Sequence, residues 1–139
     1  MTPMSDAPNT KVDPSTDSRH LHREDLFQQL FAWTFSANQQ ERAGKKASDT
    51  IREIIAVLPE LDAQIVTVAP ERPIAEINRV DLAILRTILW EARTKKTPKK
   101  VLVDEGIELA KAYGSDHSSQ FVNATLARLL LDETPPSQI

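Results

Sequence analysis

A chain of 139 residues that is 40% apolar and 27% charged is long enough for one buried core and too short for two. No run of about 18 apolar residues offers a membrane span, and the N-terminus lacks the basic start and apolar core of a secretory signal. The absence of cysteine excludes disulfides, thiolate nucleophiles and cysteine-based zinc sites, and a net charge of −3 does not advertise a nucleic-acid binder, so a cytoplasmic globular protein is the economical expectation.

Residues 1–18 (MTPMSDAPNTKVDPSTDS) are rich in Pro, Ser, Thr and Asp and nearly lack large apolar side chains. They bury too little surface to offset chain entropy, and a disordered tail is expected. Helix 1 is expected from Ser18 or Arg19 to about Phe35, capped by Asp17 or Ser18. Leu26, Phe27, Leu30, Phe31 and Thr34 fall on one face. Its first turns carry Arg19, His20, His22 and Arg23, where positive charge opposes the helix dipole. That cost hints at a use for the charge, or at no more than a frayed, solvated turn.

Residues 36–47 (SANQQERAGKKA) read as a polar connection. Ser48 or Asp49 caps helix 2, whose buried face is Ile51, Ile54, Ile55 and Leu58. Pro59 then bends the chain into a short helix with Leu61, Ile65 and Val68 inward. After Pro70 and Pro73, PIAEIN makes a short helical turn.

The stretch 79–93, RVDLAILRTILWEAR, is apolar on two sides. Val80, Ala83, Ile84 and Ile88 mark one face, and Leu82, Leu85, Leu89 and Ala92 another. A helix of this kind is packed on both sides, which makes it the central helix of a bundle. Its polar residues Arg79, Asp81, Arg86, Glu91 and Arg93 belong at the ends or along a narrow exposed strip. The next segment, RTKKTPKK (93–100), gathers Arg93, Lys95, Lys96, Lys99 and Lys100 with no acid. It is either a solvated loop or an anion-facing one.

Thr97-Pro98 signals another helix start, with a hydroxyl cap followed by proline at the first helical position. Helix 98–113 sets Leu102, Leu109 and Tyr113 on one side and Val103, Ile107 and Ala110 on the adjacent one, and Gly114 suits a left-handed C-terminal residue. Ser115 or Asp116 caps the last helix, in which Phe121, Val122, Thr125, Leu126, Leu129 and Leu130 form the apolar face. Thr134-Pro135-Pro136 ends it. The expected fold is all-α, with about six or seven helices. A domain spans 19–131 and is followed by a flexible tail, 132–139.

Catalytic signals are weak. Glycines only at 44, 106 and 114 leave no phosphate-cradling loop. Asp116-His117-Ser118 holds the residue types of a triad, but neighbours on a helix point about 100° apart. His20 and His22 face apart and have no cysteine beside them, so no metal site is expected. Asp104 and Glu108 fit a solvated helix face. No enzyme and no cofactor is expected. Binding remains, either of single-stranded RNA by Arg, His and Phe or of a protein by an exposed helix strip.

HREDLFQQLFAW (22–33), VDLAILRTILWEA (80–92), VLVDEGIELAKAYG (101–114) and SSQFVNATLARL (118–129) resemble, in order, the signature segments of the NusB family of bacterial antitermination factors. SDTIREIIAVLPELDAQIV (48–66) is similar to that family's middle helices. The resemblance implies a compact bundle of two packed helical subdomains. It also implies binding of boxA-type RNA in ribosomal RNA leader transcripts together with the ribosomal protein NusE, in an antitermination complex on RNA polymerase. By position it places RNA contacts on Arg19, His20, Arg23, Asp116, His117, Gln120 and Phe121, and NusE contacts on Phe31 and Asp81. Core packing is the competing reading of Phe31 and Phe121, and the helix dipole that of Asp81. Departures from the family are two arginines where a longer run is usual, a short connection at 36–48, and Asp104 and Ala124 in place of Asn and Gly. The thinned arginines leave a second implied reading, a protein-interaction scaffold of the same fold with weak or lost RNA binding.

Overall fold

The computed structural model describes residues 14–35 and 48–131. Among these are six α-helices and no strand: α1 (Pro14–Thr34), α2 (Asp49–Ala56), α3 (Leu58–Val68), α4 (Arg79–Thr94), α5 (Lys99–Tyr113) and α6 (Ser118–Leu130), with a 3-10 turn at Ile74–Glu76. The expected all-α bundle is what forms. Residues 1–13, the connection 36–47 and the tail 132–139 lie outside the described residues, whereas residues 14–18 of the expected disordered tail are helical.

Helix α4 is the axis of the fold. Every side chain from Asp81 to Trp90 is buried, because α1 covers one side while α5 and α6 cover the other. Leu26, Phe27 and Leu30 of α1, Ile84, Leu85 and Ile88 of α4, Leu102 and Leu109 of α5, and Val122 and Leu126 of α6 share a single apolar cluster. Each fully buried aliphatic side chain contributes about 1.5–3 kcal/mol relative to exposure. The two-faced pattern of residues 79–93 therefore has its expected cause. Its polar strip does not lie in solvent, however. Arg86 is buried and donates from Nε and Nη2 to Asp62 of α3 at 2.9 and 2.8 Å. Asp81 is also buried. Arg79 and Arg93, near the ends, are exposed.

Several helix ends differ from the sequence reading. α1 begins at Pro14, a residue whose missing N–H suits a first turn, so Asp17 and Ser18 lie inside the helix and not at its N-cap. Arg19 to Arg23 consequently sit beyond the first turn, where the dipole penalty has largely decayed. Ser48 does cap α2, accepting from the Ile51 amide at 3.2 Å. Pro59 occupies the first turn of α3, as anticipated. Pro98 is itself the N-cap of α5, and the Thr97 hydroxyl turns away to donate to Glu91 at 2.6 Å. His117, not Ser115 or Asp116, is the N-cap of α6, and it makes no side-chain cap.

Gly114 has φ −93° and ψ −171°, outside the left-handed region. Its requirement is space, since a Cβ there would lie 2.4 Å from Ser118 Cβ and 2.8 Å from the Ala110 carbonyl oxygen. Tyr113 is exposed, with its ring centroid 5.1 Å from that of Phe27 and its hydroxyl donated to Glu24.

Candidate nucleic-acid and partner interface

The residues picked out in the sequence fall into three places. The first is the start of α1, where Arg19, His20 and Arg23 lie beside the C-terminal end of α4 and the first turns of α5. Arg23 is only 4% exposed. Its Nε and Nη2 donate to the two carboxylate oxygens of Glu91 at 2.7 and 3.0 Å, and its Nη1 lies 3.3 Å from Glu105 Oε1. His20 Nδ1 donates to the same Glu105 oxygen at 2.7 Å. Burial would push the Glu91 carboxyl up, but the Arg23 and Thr97 hydrogen bonds and the charges of Arg23 and Lys95 overrule it and hold it below the usual carboxylate range. Arg23 was expected to face RNA phosphate; instead it is the hub of an internal ion-pair network that ties α1 to α4 and α5.

The hydrogen bond to Glu105 also raises the pKa of His20, against the opposing effect of burial. A histidine raised on folding stabilises the native state below its unfolded pKa, about 6.5, and loses that contribution as pH climbs through the native value. His20→Gln is therefore expected to lower the thermal midpoint most near about pH 5.5 and least near about pH 8.5. Midpoints measured at both pH values check this; a gap independent of pH would contradict it.

The second place is the far end of α4. Asp81 is 4% exposed, and its Oδ1 has no hydrogen-bond partner among the described residues. Burial raises its pKa, and a hydrogen bond from Ser118 and the charge of Arg72 offset this only in part. Arg72 also lies over the Phe121 ring, 4.6 Å from its centroid. Phe121 is half-buried, whereas Asp116, His117 and Gln120 are exposed. Asp81 and the 116–121 segment thus belong to one neighbourhood, with Arg72 as a member that the sequence did not single out. Asp81 and Glu91 are ten residues apart on one helix, so the two expected RNA-facing groups are separated by about 15 Å along α4.

The third place is an aromatic row along α1. Phe31 is half-buried and stacks on Phe27 at 6.1 Å, with Phe35 edge-on at 4.9 Å. Phe35 is 57% exposed and carries Arg79 over its ring at 5.0 Å. Next to Arg79 a groove of about 330 Å³ opens, lined by Trp33, Leu58, Ile74 and Arg86 among others. Phe31 therefore combines core packing with partial exposure.

Among the described residues, then, six helices pack around a doubly covered α4, and no cluster of three metal-ligating side chains forms. The NusB family model matches residues 12–130, and the chain belongs to that family. It is 35% identical over 127 residues to the transcription antitermination protein NusB of Shewanella sp. (strain W3-18-1), covering 81% of this chain and 94% of that protein. It is 47% identical over 73 residues to the NusB protein of Roseiflexus castenholzii, a match spanning 50% of this chain and about half, 51%, of the relative. The fold superposes on NusB of T. maritima with a TM-score of 0.69 at 27% identity, covering 86% of this chain and 95% of that one.

Proposed function

We propose that this chain is a non-catalytic transcription antitermination factor that binds boxA-type RNA jointly with NusE, in the cytoplasm. The observation that carries the reading is the family match across residues 12–130, with relatives named transcription antitermination protein NusB. Added with NusE to transcription of a ribosomal RNA leader template, the protein is expected to raise read-through at a downstream terminator. Unchanged read-through would contradict the proposal. The scaffold reading, in which RNA binding is weak, draws support from Arg23 and His20, whose polar atoms are engaged by Glu91 and Glu105.

Asp81 fits the role of a partner contact for a physical reason. A buried carboxylate oxygen without a hydrogen-bond donor lowers stability, and such a group calls for an explanation. A donor supplied by a docking protein is one. Because its pKa is raised on folding, the cost is absent in acid and fully present above the raised native value. Asp81→Asn is expected to stabilise the isolated protein at neutral pH by about 1 kcal/mol while weakening NusE capture. Denaturant unfolding and a NusE pull-down check the two halves; a loss of stability at neutral pH would contradict the first.

A further inference from the structure

The cations of the run RTKKTPKK divide into paired and exposed ones in the folded chain. Arg93 is taken by Glu60 at 2.7 Å and Lys100 by Asp104 at 3.2 Å. The remaining cations, Lys95, Lys96 and Lys99, are exposed. Among the described residues none of the three makes an ion pair, and Lys95 alone makes a ring contact, lying 5.8 Å from the Trp90 centroid.

The loop that carries them is held in place, because Thr97 is tied to Glu91 and Pro98 starts α5. Beside it lies a groove of about 370 Å³ whose lining includes Arg19, His22, Trp90, Lys95 and Thr97. A second groove of about 370 Å³ adjoins it through Arg19, Arg23 and Thr97 and runs past Pro98 to Val101. Of the acids that line these grooves among the described residues, Glu91 is engaged by Arg23 and Glu105 by Arg23 and His20. The local excess of charge is therefore cationic. Trp90 is only 6% exposed and forms a wall, so it presents no face on which a base could stack. Ammonium groups without a stacking platform suit phosphodiesters rather than bases.

We propose that Lys95, Lys96 and Lys99 of the α4–α5 connection, with Arg19 and His22 of α1, form the edge that holds the sugar–phosphate backbone of a single-stranded RNA. This rests on the RNA-binding reading above and shifts its electrostatic source from the N-terminal arginines to the loop lysines. The edge replaces the charge that Arg23 spends inside the protein.

The test is fluorescence anisotropy of two labelled single strands, one boxA-like RNA and one of scrambled sequence, over a series of salt concentrations. The proteins are the full chain, the Lys95→Ala/Lys96→Ala/Lys99→Ala variant and, as a single-charge control, Lys111→Ala. Lys111 is exposed on α5, about 18 Å along the helix from Lys99. With about 0.7 counterions released per phosphate on single strands, the triple variant is expected to flatten the slope of log K against log salt by about 2 on both RNAs. Affinity at about 0.1 M salt should fall by about 10- to 100-fold. Lys111→Ala is expected to leave the slope unchanged.

Tight, boxA-selective binding that ignores the triple substitution would overturn the inference and leave the antitermination reading standing. Lysine-dependent binding of both RNAs without preference would sustain the inference and count against boxA recognition. Absence of binding to either RNA would overturn both. A triple variant that lost only protein-partner capture would assign the edge to an acidic protein surface and overturn the inference as well.

Discussion

Arg23→Ala is expected to destabilise the fold by about 3 kcal/mol, the cost of breaking a buried ion pair from one side. The guanidinium is the shared donor of Glu91 and Glu105, two carboxylates whose side chains are themselves only 12% and 18% exposed. Its removal leaves Glu91 with the Thr97 hydroxyl and Glu105 with His20. Both acids then carry charge in a place from which water is largely excluded. Arg23→Lys is expected to recover only part of the loss, because an ammonium cannot reproduce the two-pronged contact with Glu91. Urea unfolding of the three proteins checks this through the midpoint at constant m-value. A solvent-facing phosphate ligand would behave in the opposite way, with stability within about 0.5 kcal/mol of wild type and RNA affinity reduced. That outcome would return Arg23 to the RNA surface.

Gly106→Val is expected to cost about 3 kcal/mol by overpacking. Among the described residues α5 and α6 form the most extensive helix contact, and Gly106 of α5 faces both α6 and the central helix. A Cβ there would stand 2.6 Å from Leu126 Cδ1, 3.3 Å from Val122 Cγ1 and 3.6 Å from Ile88 Cγ1. Leu126, Val122 and Ile88 are all fully buried, so a shift of any of them disturbs its own packing. Gly106→Ala adds one carbon and gains about 1 kcal/mol of helix propensity, so its net loss is smaller. Thermal unfolding of the pair separates the effects. A valine variant as stable as wild type would mean that α6 shifts outward at no cost and would contradict the overpacking account.

The fold was legible where the cause of a structure lies within a few residues of its effect. The serine before IREII caps α2, the proline at 59 starts α3, and the two apolar faces of 79–93 identify the helix that others surround. What escaped the sequence depends on residues far apart in the chain. Arg23 and Glu91 are 68 positions apart, and nothing near Arg23 announces that a carboxylate will meet it. Thr97 looked like a cap because a hydroxyl before proline usually is one, but α5 starts one residue later with Pro98 as its N-cap, and the hydroxyl donates to Glu91 instead. Gly114 looked left-handed for the same local reason, whereas its small size serves Ser118 across the turn.

For the candidate site, the sequence did not separate exposed residues from those with internal partners. Arg19, His117 and Gln120 are exposed as a contact surface requires, while His20, Arg23 and Asp81 have internal attachments. Arg72 escaped notice because a lone arginine between two prolines carries no pattern; only packing sets it over Phe121 and beside Asp81. Lys95 was visible within a run of charge, but not as lining one groove with Arg19.

The central claim is that this chain takes up RNA jointly with a protein partner. Its most direct test is the anisotropy of a labelled boxA-like RNA titrated with the protein at fixed salt, in the presence and absence of saturating NusE. Coupling between the two ligands predicts RNA affinity at least about tenfold tighter with NusE, a gain of about 1.4 kcal/mol. Equal affinity in the two titrations, with NusE alone not binding the RNA, would contradict it.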